Sequence, residues 1–201
     1  MSVQTPRRPS LAPLRILLAE DETIIRLDLR ERLENLGHRI VADVADGQTA
    51  VNLAREMRPD VVVMDIKMPC LDGIAAAEQL TRGAVAPVVL VTAFSDRELV
   101  EQAIGAGVMA YVLKPIRDND LMPAIGVAVS RFREYRLLVK EVDDLNERLE
   151  TRKLIERAKG LLMSKHSITE QDAFQRIQRL SMDRRIPMKQ VAKALLLAEN
   201  L

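Results

Sequence analysis

Between Arg15 and about Ser130, a short run of Val, Ile and Leu followed by ten or more residues of helical apolar period recurs five times, and this alternation restricts the fold most. Parallel strands cannot be joined by a tight hairpin and need a crossover, so repeated strand-helix units specify a parallel sheet. Strands are predicted at Arg15–Ala19, Arg39–Asp43, Asp60–Asp65, Pro87–Thr92 and Ala110–Leu113, with glycines at 37, 47, 73 and 107 punctuating the turns. Val61, Val62, Val63 and Met64 run apolar without alternation, as a central strand covered on both faces requires. The predicted fold is α/β, a doubly wound five-stranded parallel sheet.

After the fifth unit every segment reads helical. The last helix of the sheet region starts near Asp118 and can run on through 132–149, where Leu138, Val142, Leu145 and Leu149 are spaced four, three and four apart. That is a heptad seam, but it lasts only about two heptads before Arg152 and Glu156 fall in phase. It suits either a dimer interface or a helix packed on its own domain. Three amphipathic faces follow: Leu154, Ile155, Ala158, Leu161 and Leu162; Ala173, Phe174, Ile177, Leu180 and Ser181; Met188, Val191, Ala192 and Leu195. Ser167 or Thr169 can cap the second helix, and Pro187 suits the first turn of the third. The organisation predicted is a disordered leader at 1–13, the α/β domain at 14–130, a helical or coiled-coil linker at 131–150 and a small three-helix all-α domain at 151–201.

A chain of 201 residues can bury two cores. No stretch has the ~20 apolar residues of a membrane span, and the lone Cys70 has no disulfide partner, which suits a cytoplasmic protein without membrane attachment. The net charge of +1 hides an asymmetry: residues 15–130 carry 12 Lys/Arg against 18 Asp/Glu, and residues 151–201 carry 11 against 5. A basic tail of this kind favours an anionic partner, although a solvated helical surface has the same charge. His38 and His166 stand apart from other ligating residues and are expected at the surface.

In open α/β sheets, functional groups collect beyond the carboxyl ends of the strands. Here those ends carry Glu20, Asp21 and Glu22 after the first strand, Asp65 after the third, Thr92 after the fourth and Lys114 after the fifth. Adjacent first and third strands would crowd three carboxylates together. Either a raised pKa or a hard divalent cation relieves that repulsion, and Mg²⁺, which favours one or two carboxylates plus phosphate, fits Glu20 and Asp21 as holders with Asp65 as acceptor. Lys114 adds a fixed cation, and Thr92 a hydroxyl for a phosphoryl oxygen.

The segments Ile16–Glu22, Val63–Pro69 with Asp72-Gly73, Val91–Ala93 and Tyr111–Pro115 resemble the receiver domain of two-component response regulators. The resemblance covers about residues 14–130 and implies a flavodoxin-like fold with Asp65 phosphorylated by a sensor histidine kinase. It further implies Mg²⁺ on Asp21, Asp65 and the backbone carbonyl of Lys67, with Glu20 in support through water. Thr92 and Tyr111 would form a switch pair, the hydroxyl moving toward phosphate and the ring turning inward.

The tail offers no nucleotide loop, metal cluster or nucleophile-base pair, so no enzymatic output is expected. Gly160 inside a helix costs about 1 kcal/mol relative to alanine, and Ala158 with Gly160 could admit another helix or a nucleic-acid backbone. The segments 156–163, 169–174, 180–185 and 191–192 resemble the ANTAR domain of transcription antiterminators, and the whole arrangement is similar to phosphorylation-dependent antitermination regulators. That resemblance implies binding of RNA hairpins in nascent transcripts and a phosphorylation-dependent homodimer. Lys153, Arg157, Lys159, Lys165, Arg184, Arg185 and Lys189 are the candidate RNA contacts. Phe174, read as part of the apolar face, leaves recognition to charge, shape and guanidinium groups. A DNA-binding helix-turn-helix output and a protein-interaction module are the alternatives.

Overall fold

A computed structural model describes residues 12–93 and 97–198. Of the leader expected at 1–13, residues 1–11 lie outside that range. The chain divides into two units, Met1–Arg136 and Leu137–Leu201.

In the first unit the strands are β1 (Arg15–Ala19), β2 (Arg39–Val44), β3 (Val61–Asp65), β4 (Val88–Thr92) and β5 (Ala110–Leu113), all parallel, in the order β2-β1-β3-β4-β5. The helices between them are α1 (Thr23–Asn35), α2 (Gly47–Met57), α3 (Gly73–Arg82) and α4 (Arg97–Gly105), followed by α5 (Asp118–His166). Successive residues of a strand point to opposite faces. Ile16, Leu18, Val61 and Val63 therefore pack with Leu29 and Leu33 of α1 and Leu121 and Ile125 of α5. Their neighbours Leu17, Ala19, Val62 and Met64 pack with Ala50 and Ala54 of α2 and Ala76 and Leu80 of α3. Two cores, one on each side of the sheet, are what the unalternating runs of β1 and β3 supply. Each fully buried Leu, Ile or Val in them is worth roughly 1.5–3 kcal/mol.

His38 departs from its expected surface position. It is buried, and Nδ1 accepts a hydrogen bond from the Leu14 amide at 3.2 Å. The turn after α1 brings it beneath the start of β1, a tertiary neighbour 24 residues away that no local pattern announces.

The second unit is built from the end of α5, α6 (Glu170–Arg184) and α7 (Met188–Leu197). The expected linker and first output helix are not separate elements, since α5 is one helix of 49 residues. Thr169 caps α6, its hydroxyl accepting from the Asp172 amide at 3.2 Å. Ala158, Leu162, Ala173, Ile177, Val191 and Ala192 form the buried core, with Leu154, Ile155, Leu180, Met188 and Leu195 around it. Only Arg185, Ile186 and Pro187 connect α6 to α7, a turn tied by Ser181 Oγ donating to the Ile186 carbonyl at 2.6 Å.

Candidate functional site: an acidic pocket and a basic helical surface

Strand register assembles the pocket. Ala19 lies opposite Met64, so Glu20 follows beside Asp65; Asp65 lies opposite Val91, and Thr92 opposite Leu113, so Thr92 and Lys114 complete the row. Carboxylate oxygens of Glu20, Asp21 and Asp65 lie within 4.8 Å of one another. Lys114 Nζ sits 2.9 Å from Glu20 Oε2 and 3.0 Å from Asp65 Oδ2. Asp65 Oδ1 accepts from the Ile66 amide at 2.7 Å. Glu20 and Thr92 are buried, Asp65 is 8% exposed, and Asp21 opens to solvent.

Burial, with Asp65's negative charge adding to it, pushes the Glu20 carboxyl above its usual range, against the pull of Lys114. Burial would lower the Lys114 ammonium, but its contacts with the Glu20 and Asp65 carboxylates outweigh this and hold it raised. Both forms of relief within the chain are thus present, a raised carboxyl pKa and a shared cation. Glu20 Oε2 is buried and has no partner beyond its ion pair with Lys114 at 2.9 Å. A buried carboxylate oxygen with no hydrogen-bond partner, in a set of three carboxylates within 4.8 Å of one another, is the donor set a hard divalent cation takes, so these residues fit Mg²⁺.

Two further residues position the pocket, Arg26, which no sequence pattern singles out, and Gly73, which the pattern marks only as a turn glycine. Arg26, one turn into α1, donates to the carbonyls of Glu20 at 2.5 Å and Asp21 at 3.5 Å, anchoring the acidic turn. Gly73 begins α3 hard against the acceptor: a Cβ there would lie 2.0 Å from the Asp65 carbonyl oxygen. Its amide donates to the Ile66 carbonyl at 2.8 Å, and Asp72 caps the helix through the Ile74 and Ala75 amides. Glycine before a crossover helix signals a close approach, but not to which atom. Of the two residues expected to form a switch pair, Thr92 is 2% and Tyr111 48% exposed, so the ring faces outward. Lys67 follows Asp65 by two residues, in the turn leaving β3.

The candidate RNA contacts separate into kinds. Arg157, Arg184 and Arg185 are exposed and their side chains make no hydrogen bond or ion pair with another described residue, and Lys165 is exposed as well. Lys153 pairs with Glu150 at 2.9 Å and Lys189 with Glu147 at 3.1 Å, both within reach of solvent. Lys159 does not belong with them. Its side chain is only 9% exposed and bridges Glu156 at 2.8 Å and Glu170 at 2.6 Å, tying α5 to α6. Its two carboxylate partners hold its pKa up, and the same contact holds Glu170 below the usual range. Exposed Arg148, Arg152, Arg176, Arg179 and Lys193 belong to the basic surface and were passed over.

Ala158 and Gly160 do not act together. Two residues along a helix point to nearly opposite faces: Ala158 is in the core, whereas a Cβ on Gly160 would meet nothing within 4 Å. Leu138, Val142, Leu145 and Leu149 are each 52–62% exposed, so the seam is not covered by the packing of its own unit.

Residues 16–126 match the response regulator receiver domain and residues 143–196 the ANTAR domain. The chain belongs to the response regulators that join a receiver to an ANTAR output. It is 55% identical over 196 residues to the transcriptional regulatory protein PdtaR of Mycobacterium tuberculosis, covering 98% of this chain and 96% of that one. It is 33% identical over 112 residues to the chemotaxis protein CheY of Bacillus subtilis, 55% of this chain and 93% of that protein. Among solved structures, the signal receiver domain of a modulated diguanylate cyclase from Desulfovibrio desulfuricans G20 superposes with a TM-score of 0.57 at 28% identity, over 62% of this chain and 99% of that one. No described helix is long and apolar enough to cross a membrane.

Proposed function

We propose that Asp65 accepts a phosphoryl group from a sensor histidine kinase and that the phosphorylated receiver controls an output that binds RNA hairpins as a transcription antiterminator in the cytoplasm. The observation that carries the first half is the convergence on Asp65 of Lys114, Thr92 and two further carboxylates, at the carboxyl edge where α/β sheets bind ligands. Glu20, Asp21, Asp65 and the Lys67 carbonyl would hold Mg²⁺, which when bound offsets the charge of the phosphoryl oxygens. Asp65 supplies the attacking carboxylate oxygen, its O–P bond forming as the P–N bond to the kinase's phosphohistidine breaks and the imidazole leaves. Lys114, already beside Asp65 Oδ2, is within reach of the added phosphate, and the Thr92 hydroxyl donates to one of its oxygens. The acyl phosphate carries about −1.5 to −2 charge in place of the carboxylate's single one, and its new oxygens are acceptors that draw Thr92 toward them and leave room for Tyr111 to turn inward.

For the output, the ANTAR match and the free guanidinium groups support RNA. The three-residue α6–α7 connection is short enough for a helix-turn-helix by length alone, so the opposing reading is DNA. The exposed Leu138/Val142/Leu145/Leu149 face supports phosphorylation-dependent dimerisation, since an apolar stripe on a helix seeks a partner.

Incubation with Mg²⁺ and a small phosphodonor should give an acyl phosphate in the wild type and none in Asp65→Asn; undiminished labelling of the variant refutes the acceptor assignment. Filter binding against hairpin RNA and duplex DNA of equal charge tests the output. A preference for the duplex would return the DNA reading to first place.

A further inference from the structure

Phe174 is the sole aromatic residue of the second unit, and it does not lie where the apolar pattern of α6 puts it. Ala173 and Ile177 take the core positions and are fully buried, while Phe174, turned aside by one residue, is 41% exposed. It lines an open groove of about 560 Å³ together with Ile155, Arg148 and Arg152 of α5. Neither arginine side chain makes a hydrogen bond or ion pair with another described residue. Three carboxylates border the same groove, but Glu147 is taken by Lys189 and Glu156 by Lys159. Lys159 also serves Glu170, so the groove and its partners balance in charge, and the groups left in it without an ion-pair partner are the two arginines and Asp144, beside an aromatic residue.

We propose that this groove is a nucleobase site, in which one unpaired base of a hairpin loop stacks on Phe174 while Arg148 and Arg152 take its phosphate and cover its second face. The proposal rests on the RNA-binding reading and deepens it. An aromatic ring beside planar guanidinium groups is the combination that holds a base splayed out of a loop, and the groove is of the size of ordinary small-ligand sites. Ile155 extends the apolar floor, and Asp144 can accept from an N–H on the edge of the base. Recognition then includes stacking, in addition to the charge and shape read from the sequence.

The test uses the full chain and a hairpin RNA recovered from a random-loop pool by the wild type, with 2-aminopurine placed at one loop position after another. At one position the fluorescence is quenched on binding to the wild type and to Phe174→Tyr. Phe174→Ala loses that quench and binds about tenfold more weakly, the size of one lost base stack, with an unchanged melting temperature. Arg148→Gln with Arg152→Gln, on the solvent side of α5, weakens binding independently of any effect on α6. An equal quench and equal affinity in Phe174→Ala overturns the site alone. So does a change in its sedimentation without RNA at unaltered RNA affinity, which would assign the groove to a second copy of the chain. A pool that returns no hairpin on the wild type overturns the RNA reading, and this site with it.

Discussion

Replacing Gly73 with alanine should damage both the stability of the receiver and the reactivity of Asp65, for one geometric reason. A Cβ at this position would stand 2.0 Å from the Asp65 carbonyl oxygen and 3.0 Å from the Ile66 Cα, and all of these neighbours are backbone. Reaching an ordinary 3.4 Å contact requires the start of α3 or the end of β3 to move about 1.4 Å. Such a shift breaks the 2.8 Å bond from the Gly73 amide to the Ile66 carbonyl, worth about 1 kcal/mol, and overpacking costs about 1–3 kcal/mol more. Alanine's better helix propensity returns at most about 1 kcal/mol, so the net loss should be about 1–3 kcal/mol. Displacement of a reacting group by about 1 Å can cost on the order of 100-fold in rate, and Asp65 belongs to the backbone that must move. Urea melts give the first quantity, and the time course of labelling by a small phosphodonor with Mg²⁺ the second. A Gly73→Ala protein with the wild-type midpoint and labelling rate would refute the reasoning, because it would mean that the approach of α3 to Asp65 is not a constraint.

Gly160→Ala should have the opposite sign: with nothing within 4 Å of the added methyl, the second unit should gain up to about 1 kcal/mol of helix propensity, read as a raised urea midpoint, and a loss would show that the glycine serves the fold. Burial holds the His38 imidazole below its usual 6.5, whereas the unfolded chain titrates at the usual value. Receiver stability should therefore be unaffected above that pH, fall as the pH drops through it, and stop falling once the lowered native value is passed; His38→Asn, which keeps an acceptor for the Leu14 amide, should flatten that decline in melts from pH 8 to 5. Leu145→Lys should abolish any rise in sedimenting mass caused by a phosphoryl mimic, and an identical mass in wild type and variant, with and without the mimic, would remove the seam as a dimer interface.

Strand positions, sheet type and the four strand ends of the pocket were legible in the sequence because they depend on local period and on a topology with few alternatives. Val61–Met64 fits a strand covered on both faces, and register then places Glu20, Asp65, Thr92 and Lys114 in one row. The side of α6 that carries Phe174 was decided only by tertiary packing. Ala173, Phe174 and Ile177 all fit a broad apolar stripe, and the width of the three-helix core, not the period, settled that the ring stays outside. Lys159 read as one more cation until the fold brought Glu170 across to it from the next helix, and His38 read as a surface residue until β1 closed over it. A one-dimensional pattern records which residues can share a face; which neighbours arrive from 11 or 24 residues away is a property of the packed chain.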